Sequence, residues 1–217
     1  MKREIETRCL SVDELELRVK RDDDGKVKIV GYAAVFDKLS EDLGGFREKI
    51  QKGAFKDALK KSDARALWNH DNNYVLGRES SGTLKLKEDD KGLYMEVDPP
   101  DTQFAKDLMV SIERGDVNQQ SFGFYIKSDK WEGLDSKDET IRTILEVDEL
   151  VDVSPVTFPA YPDTKVALRS LDAAKKDVEI DVEESNEVHA VEIRNRNRTA
   201  IREREILNKI KSKLSEV

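Results

Sequence analysis

The sequence predicts a mainly β fold with a few helices, class α+β, followed by a charged tail. Three observations carry that reading. Over the first 170 residues, short segments alternate apolar and polar positions at period two. Two stretches switch to the three- and four-residue spacing of an amphipathic helix. From about residue 171 onward, aromatic residues vanish and charge dominates.

The strand candidates come in order as "ELELRV" (14–19), "VKIVGYAAVF" (27–36), "TLKLKED" (83–89) and "GLYMEV" (92–97). Turn residues Asp24-Gly25-Lys26 and Asp90-Lys91-Gly92 punctuate them, and the last two read as a hairpin with Leu84 and Leu86 on one face. Helices are expected at 53–62, with Phe55, Ala58 and Leu59 on one side, and at 101–116. In the second, Phe104, Leu108, Met109 and Ile112 form the apolar face, Asp101 or Thr102 can cap the start and Gly115 can end it. That helix delivers the chain to "GDVNQQSFGFYIKS" (115–128), read as a turn followed by a strand in which Phe122 and Phe124 face the core and Ser121 the other way. "IRTILEVDELVDVSPVTFPAY" (141–161) reads as one or two further strands ending at a Pro-rich corner.

Of the 217 residues, 39% are charged and 37% hydrophobic, enough for one domain of about 150–170 residues plus extensions. The domain is placed at 1–170. In the tail (171–217), an acidic stretch, "LDAAKKDVEIDVEESNEV", precedes a basic one, "RNRNRTAIREREILNKIKSKL". There Ile201, Ile206 or Leu207, Ile210 and Leu214 give a narrow stripe expected to form an amphipathic helix that docks on an acidic surface or a partner helix. The net charge of −8 argues against nucleic acid as main partner. No stretch reaches the roughly 18 apolar residues of a membrane span, and the N-terminus lacks the apolar core of a signal peptide. One cysteine, Cys9, excludes an internal disulfide, and with two distant histidines it offers no zinc-ligand spacing, so neither metal nor cofactor is expected.

Two histidines limit where general-base chemistry can sit. His189 lies in the charged tail, with nothing to hold or desolvate it. His70 follows the apolar run Ala66-Leu67-Trp68, at a strand end and before what reads as a polar turn. Trp68 and Trp131 are read as packing residues. Ser121 lacks the Gly-x-Ser-x-Gly elbow of the α/β-hydrolases, so as a nucleophile it would be presented from a strand. A third group must orient the imidazole. Glu146, Asp148 and Asp152 share parity, so an unbroken strand would point all three to one face, and periodicity leaves the choice open.

Together, "GYAAVFDKLSEDLGGFREKIQKGAF" (31–55), "ALWNHDNNYVLGR" (66–78), "GLYMEVDPPDT" (92–102), "RGDVNQQSFGF" (114–124) and "LVDVSPVTFPAYPDT" (150–164) resemble the prohead, or capsid-maturation, proteases of tailed bacteriophages, in order and spacing over residues 10–170. The resemblance implies a Greek-key-like β-barrel of herpesvirus assemblin type with packed helices and a strand-borne serine. It implies His70 as general base and Ser121 as nucleophile. The acid-Val-Ser-x-Val-Thr-x-Pro-Ala pattern over 152–160 favours Asp152 as third member, with Glu146 and Asp148 as alternatives, and comparison with assemblins places the oxyanion donors near Ala160 and Tyr161. The implied activity is a serine endopeptidase acting inside the assembling procapsid in the host cytoplasm. Its implied partners are the scaffold protein or the scaffolding segment of the major capsid protein and itself, as substrates, with a homo-oligomer possible in principle. The tail would then be a removable targeting segment. The competing reading is a non-catalytic capsid-assembly module on the same fold, which requires His70 and Ser121 to lie far apart.

Overall fold

The computed structural model describes residues 4–9, 16–23, 25–134, 139–158, 166 and 168–176. Among the described residues the elements run β1 (Glu6–Cys9), β2 (Arg18–Arg21), β3 (Val27–Val35), β4 (Arg47–Ile50), α1 (Ala58–Lys61), β5 (Arg65–Trp68), β6 (Asp71–Arg78), β7 (Leu84–Glu88), β8 (Gly92–Val97), α2 (Gln103–Arg114), β9 (Gln119–Glu132) and β10 (Ile141–Val156), and residues 168–176 are helical as well. The α+β class expected from the sequence holds. The described strands make two sheets and no closed barrel. One runs β1-β9-β10-β5-β6 with β4 also on β10, the other β2-β3-β8-β7.

Both sheets contribute to one core. Ile29, Leu93 and Met95 from the smaller sheet meet Phe122, Phe124, Ile144, Leu150 and Val153 from the larger one, with Leu108 and Ile112 of α2 in the same cluster. Each such side chain, fully buried, contributes roughly 1.5–3 kcal/mol. Phe122 stacks on Phe124 at 4.9 Å between ring centres and meets Phe55 edge-on at 5.7 Å. This fixes which face of β9 looks inward: with Phe122 and Phe124 in the core, Ser121 and Gly123 are turned to the opposite face.

Several sequence expectations hold in detail. β7 and β8 pair as the expected antiparallel hairpin, with Leu84 buried and Lys85 exposed. α2 begins after Thr102 and ends on Gly115, whose left-handed backbone (φ 81°) suits a residue without a Cβ. The helix expected at 53–62 is shorter: residues 52–57 form turns and only Ala58–Lys61 is helical. β1 and β4 were not expected. Both are short and polar, and a four-residue strand carries too few alternations to stand out. The polar turn expected after His70 is instead Asn69-His70 itself, and strand β6 resumes at Asp71.

The chain divides into two units, Met1–Leu171 and Asp172–Val217. Of the second, residues 172–176 are described and are helical. The terminal amphipathic helix expected around 201–214, and His189, lie outside the described residues.

Candidate active site

The nucleophile candidate and the acid candidate sit on neighbouring antiparallel strands. In the β9–β10 ladder Ser121 is opposite Ser154, Phe122 opposite Val153 and Gly123 opposite Asp152. Side chains directly opposite one another share a face, so Ser121, Gly123, Asp152 and Ser154 form a patch on the side of the sheet away from Phe122 and Phe124. On the other flank of β9 the same register sets Cys9 of β1 across from Ser121.

His70 reaches this patch from β5, the strand parallel to β10 on its far side. Trp68 pairs with Asp71, so Asn69 and His70 are the two central residues of a tight hairpin turn, and both are left-handed (φ 56° and 58°). That is the backbone of a type I′ turn, which twists with the strands it joins and normally carries Asn-Gly. Asn-His satisfies the first position and strains the second. The turn is also tied to β10: the Asn69 N–H donates to the Pro155 carbonyl at 3.0 Å, and Asn69 Oδ1 accepts from the Thr157 N–H at 2.8 Å.

The result is a continuous hydrogen-bonded chain. His70 Nδ1 lies 2.6 Å from Asp152 Oδ1, and His70 Nε2 lies 2.7 Å from Ser121 Oγ. An ionised carboxylate can only accept, so Nδ1–H donates to Asp152, leaving Nε2 to accept from the serine hydroxyl. Ser154 Oγ donates to the same Asp152 oxygen at 2.6 Å. Ser121 and Ser154 are fully buried and Asp152 nearly so, while the His70 side chain retains 24% exposure and forms the accessible rim.

The other two acids are elsewhere. Register shifts along β10 at Glu146, Val147 and between Leu150 and Asp152 break the shared parity on which the three-way choice rested. Glu146 pairs with exposed Lys127 at 2.5 Å, and the hydrogen bond and charge of this carboxylate raise the lysine's proton affinity. Asp148 is bound by Lys61 at 2.5 Å and faces α1. Ala160 and Tyr161, expected to bear the oxyanion donors, lie outside the described residues. Trp68 packs on the core and Trp131 on Phe46, as expected of packing residues. Sequence reading passed over Asn69, Gly123 and Ser154, although the paired motifs Ser-x-Gly (121–123) and Asp-x-Ser (152–154) carry a detectable signal: small residues placed two apart from each functional one.

On the opposite face a second polar group is buried. Arg8 binds Glu48 through Nε (2.7 Å) and also contacts Glu6, while Arg142 binds Glu6 (2.8 Å), Glu48 (3.2 Å) and Asp129 (2.6 Å). Burial alone would push Glu6 up, but together the two guanidinium groups hold its carboxyl below the usual glutamate range. This cluster joins β1, β4 and β10 and thereby holds β1 against β9. Among the described residues no group of three or more His, Cys, Asp or Glu could hold a metal ion, and no helix is long and apolar enough to cross a membrane.

Among solved structures, that of the bacteriophage T4 capsid assembly protease gp21 is similar with a TM-score of 0.47 at 12% identity, covering 73% of this chain and 100% of that one. The sequence matches no curated protein. The family model described as Caudovirus prohead serine protease matches residues 13–177, most of the chain and all three members of the hydrogen-bonded chain, and the protein belongs to that family of capsid-maturation serine proteases.

Proposed function

We propose that this protein is the endopeptidase that cleaves the scaffold protein, or the scaffolding segment of the major capsid protein, and itself inside the procapsid, with Ser121 as nucleophile, His70 as general base and Asp152 as the orienting acid. The observation that carries this reading is the Ser121–His70–Asp152 chain at 2.7 and 2.6 Å, within the reach that proton transfer requires. A non-catalytic module has no use for such an alignment.

The chemistry follows from the geometry. His70 Nε2 takes the Ser121 proton as Oγ attacks a peptide carbonyl. The imidazolium so formed, stabilised by Asp152, then protonates the leaving amine, and water repeats the cycle on the acyl-enzyme. The developing oxyanion needs preorganised N–H donors, each worth on the order of 3 kcal/mol, and Ala160 and Tyr161 are our assignment for them. The strand-borne Ser121 agrees with the assemblin-type fold that the resemblance implies, whereas the described strands form two sheets and not the barrel expected of it. The segment beyond 170 is read as a removable piece that recruits the enzyme to the capsid interior. Co-expression with the major capsid protein, followed by mass spectrometry, tests all of this. Wild type should trim the capsid protein and its own tail, and Ser121→Ala should trim neither. Tail loss by Ser121→Ala without another protease would overturn self-cleavage.

A further inference from the structure

Three residues converge on Asp152, and only one of them is His70. Asp152 Oδ1 accepts from both His70 Nδ1 and the Ser154 hydroxyl, each at 2.6 Å. The other oxygen, Oδ2, lies over the bare Cα of Gly123: a Cβ built there would sit 2.6 Å from it, closer than such contacts occur. Gly123 has no positive φ, so its backbone does not call for glycine. Space is the reason. β9 and β10 thus hold a diagonal quartet, with Ser121 and Asp152 as functional corners and Gly123 and Ser154 as small ones.

We propose that Gly123 and Ser154 are positioning residues that fix the Asp152 carboxylate against His70, Gly123 by leaving room for Oδ2 and Ser154 by holding Oδ1. Neither touches the reacting atoms. Their two actions on the imidazole have opposite signs. The Ser154 hydroxyl draws negative charge away from the oxygen that faces His70, so deleting it strengthens the pull on the imidazolium. A methyl group at 123 displaces the carboxylate. Asp152 is the flexible partner in that clash, so the fold survives and the imidazolium loses its support instead.

The inference rests on the triad reading, and a chain with two histidines allows it to be tested without a substrate. The His70 ring is titrated by NMR in full-length Ser121→Ala protein, where self-cleavage is prevented, with His189→Gln identifying the second signal. Ser154→Ala should move the His70 midpoint up, and Gly123→Ala should move it down, each by about half a pH unit or more. With Ser121 restored, trimming of co-expressed major capsid protein should slow about tenfold in each, in Gly123→Ala because the carboxylate is pushed off the imidazolium and in Ser154→Ala because Oδ1 is no longer held in line with Nδ1. Asp152→Asn separates the two levels of the argument. If it leaves the His70 midpoint in place, the His70–Asp152 pair and the triad reading both fail. If it lowers the midpoint while Ser154→Ala and Gly123→Ala leave theirs unmoved, the triad stands and the positioning roles are overturned. Thermal midpoints close to wild type in both variants would exclude general destabilisation as the cause of the slower trimming. If only one variant is folded, its sign decides for its own residue.

Discussion

Asn69 Oδ1 accepts a hydrogen bond from the Thr157 N–H at 2.8 Å, and this bond ties the turn that presents His70 to the end of the strand that presents Asp152. The same asparagine adopts a left-handed backbone that asparagine tolerates better than most residues. Its two contributions can be separated. Asn69→Gly keeps the backbone and loses the clamp, whereas Asn69→Ala loses the clamp and adds roughly 1–2 kcal/mol of left-handed strain. Thermal denaturation should rank wild type above Asn69→Gly and Asn69→Ala lowest, the last two differing by about 2–8 °C for a chain of this size. An alanine variant as stable as the glycine one would remove strain from the account.

His70 occupies the second left-handed position of that turn, where glycine is the usual residue. Its backbone is strained in the native state, and strain of this kind persists where surrounding contacts over-determine it. Both His70→Ala and His70→Gly should abolish capsid-protein trimming. Chemical denaturation should nevertheless find the glycine variant more stable than the alanine one by about 1 kcal/mol, because both have lost the same imidazole and differ only in backbone freedom.

Substitutions at the three acids of β10 distinguish which of them orients His70. Asp152→Asn keeps the shape of the side chain but can present an N–H to His70 and so favour the wrong tautomer. A loss on the order of 10⁴ in turnover is expected, as for other triads of this kind. Glu146→Gln and Asp148→Asn should retain turnover within a few fold, since their partners are Lys127 and Lys61. A Glu146 or Asp148 variant as impaired as Asp152→Asn would reassign the acid.

Periodicity left that choice open, and it was the resemblance that favoured Asp152. The candidate site was legible at Ser121 and His70 because a two-histidine chain leaves few bases and because five motifs agree in order and spacing. Parity could not separate the acids, since it assumes an unbroken strand and β10 shifts register several times before Asp152. The long amphipathic elements, α2 and the β7–β8 hairpin, were legible from periodicity. β1 and β4 were not, because their inward residues include Glu6, Arg8 and Glu48, whose burial makes sense only once Arg142 is brought alongside by the fold. The arrangement of the Asn69-His70 turn was equally hidden: the sequence shows Asn-His where pattern rules look for Asn-Gly.

The buried cluster that holds β1 should make stability depend on pH. Glu6 is kept ionised by Arg8 and Arg142 against the pull of its own burial, and its carboxyl is held below the usual range. A carboxyl depressed in the folded state binds protons more readily once unfolded, so its contribution is complete above the unfolded value of about 4.3 and disappears as pH falls through the folded one. Wild type should therefore lose thermal stability progressively below about pH 5, and Glu6→Gln should show a shallower decline from a lower starting point. Arg142→Met is the more severe change, because it strands Glu6 and Glu48 in the interior with one arginine between them, and removing one partner of a buried ion pair costs about 3–5 kcal/mol. Since the cluster lies across the sheet from His70, the damage should fall on β1 first: hydrogen exchange at Thr7 and Cys9 should accelerate more than at Phe122 and Val153 in the core. Equal acceleration at all four sites would mean that the cluster supports the whole sheet and not β1 in particular.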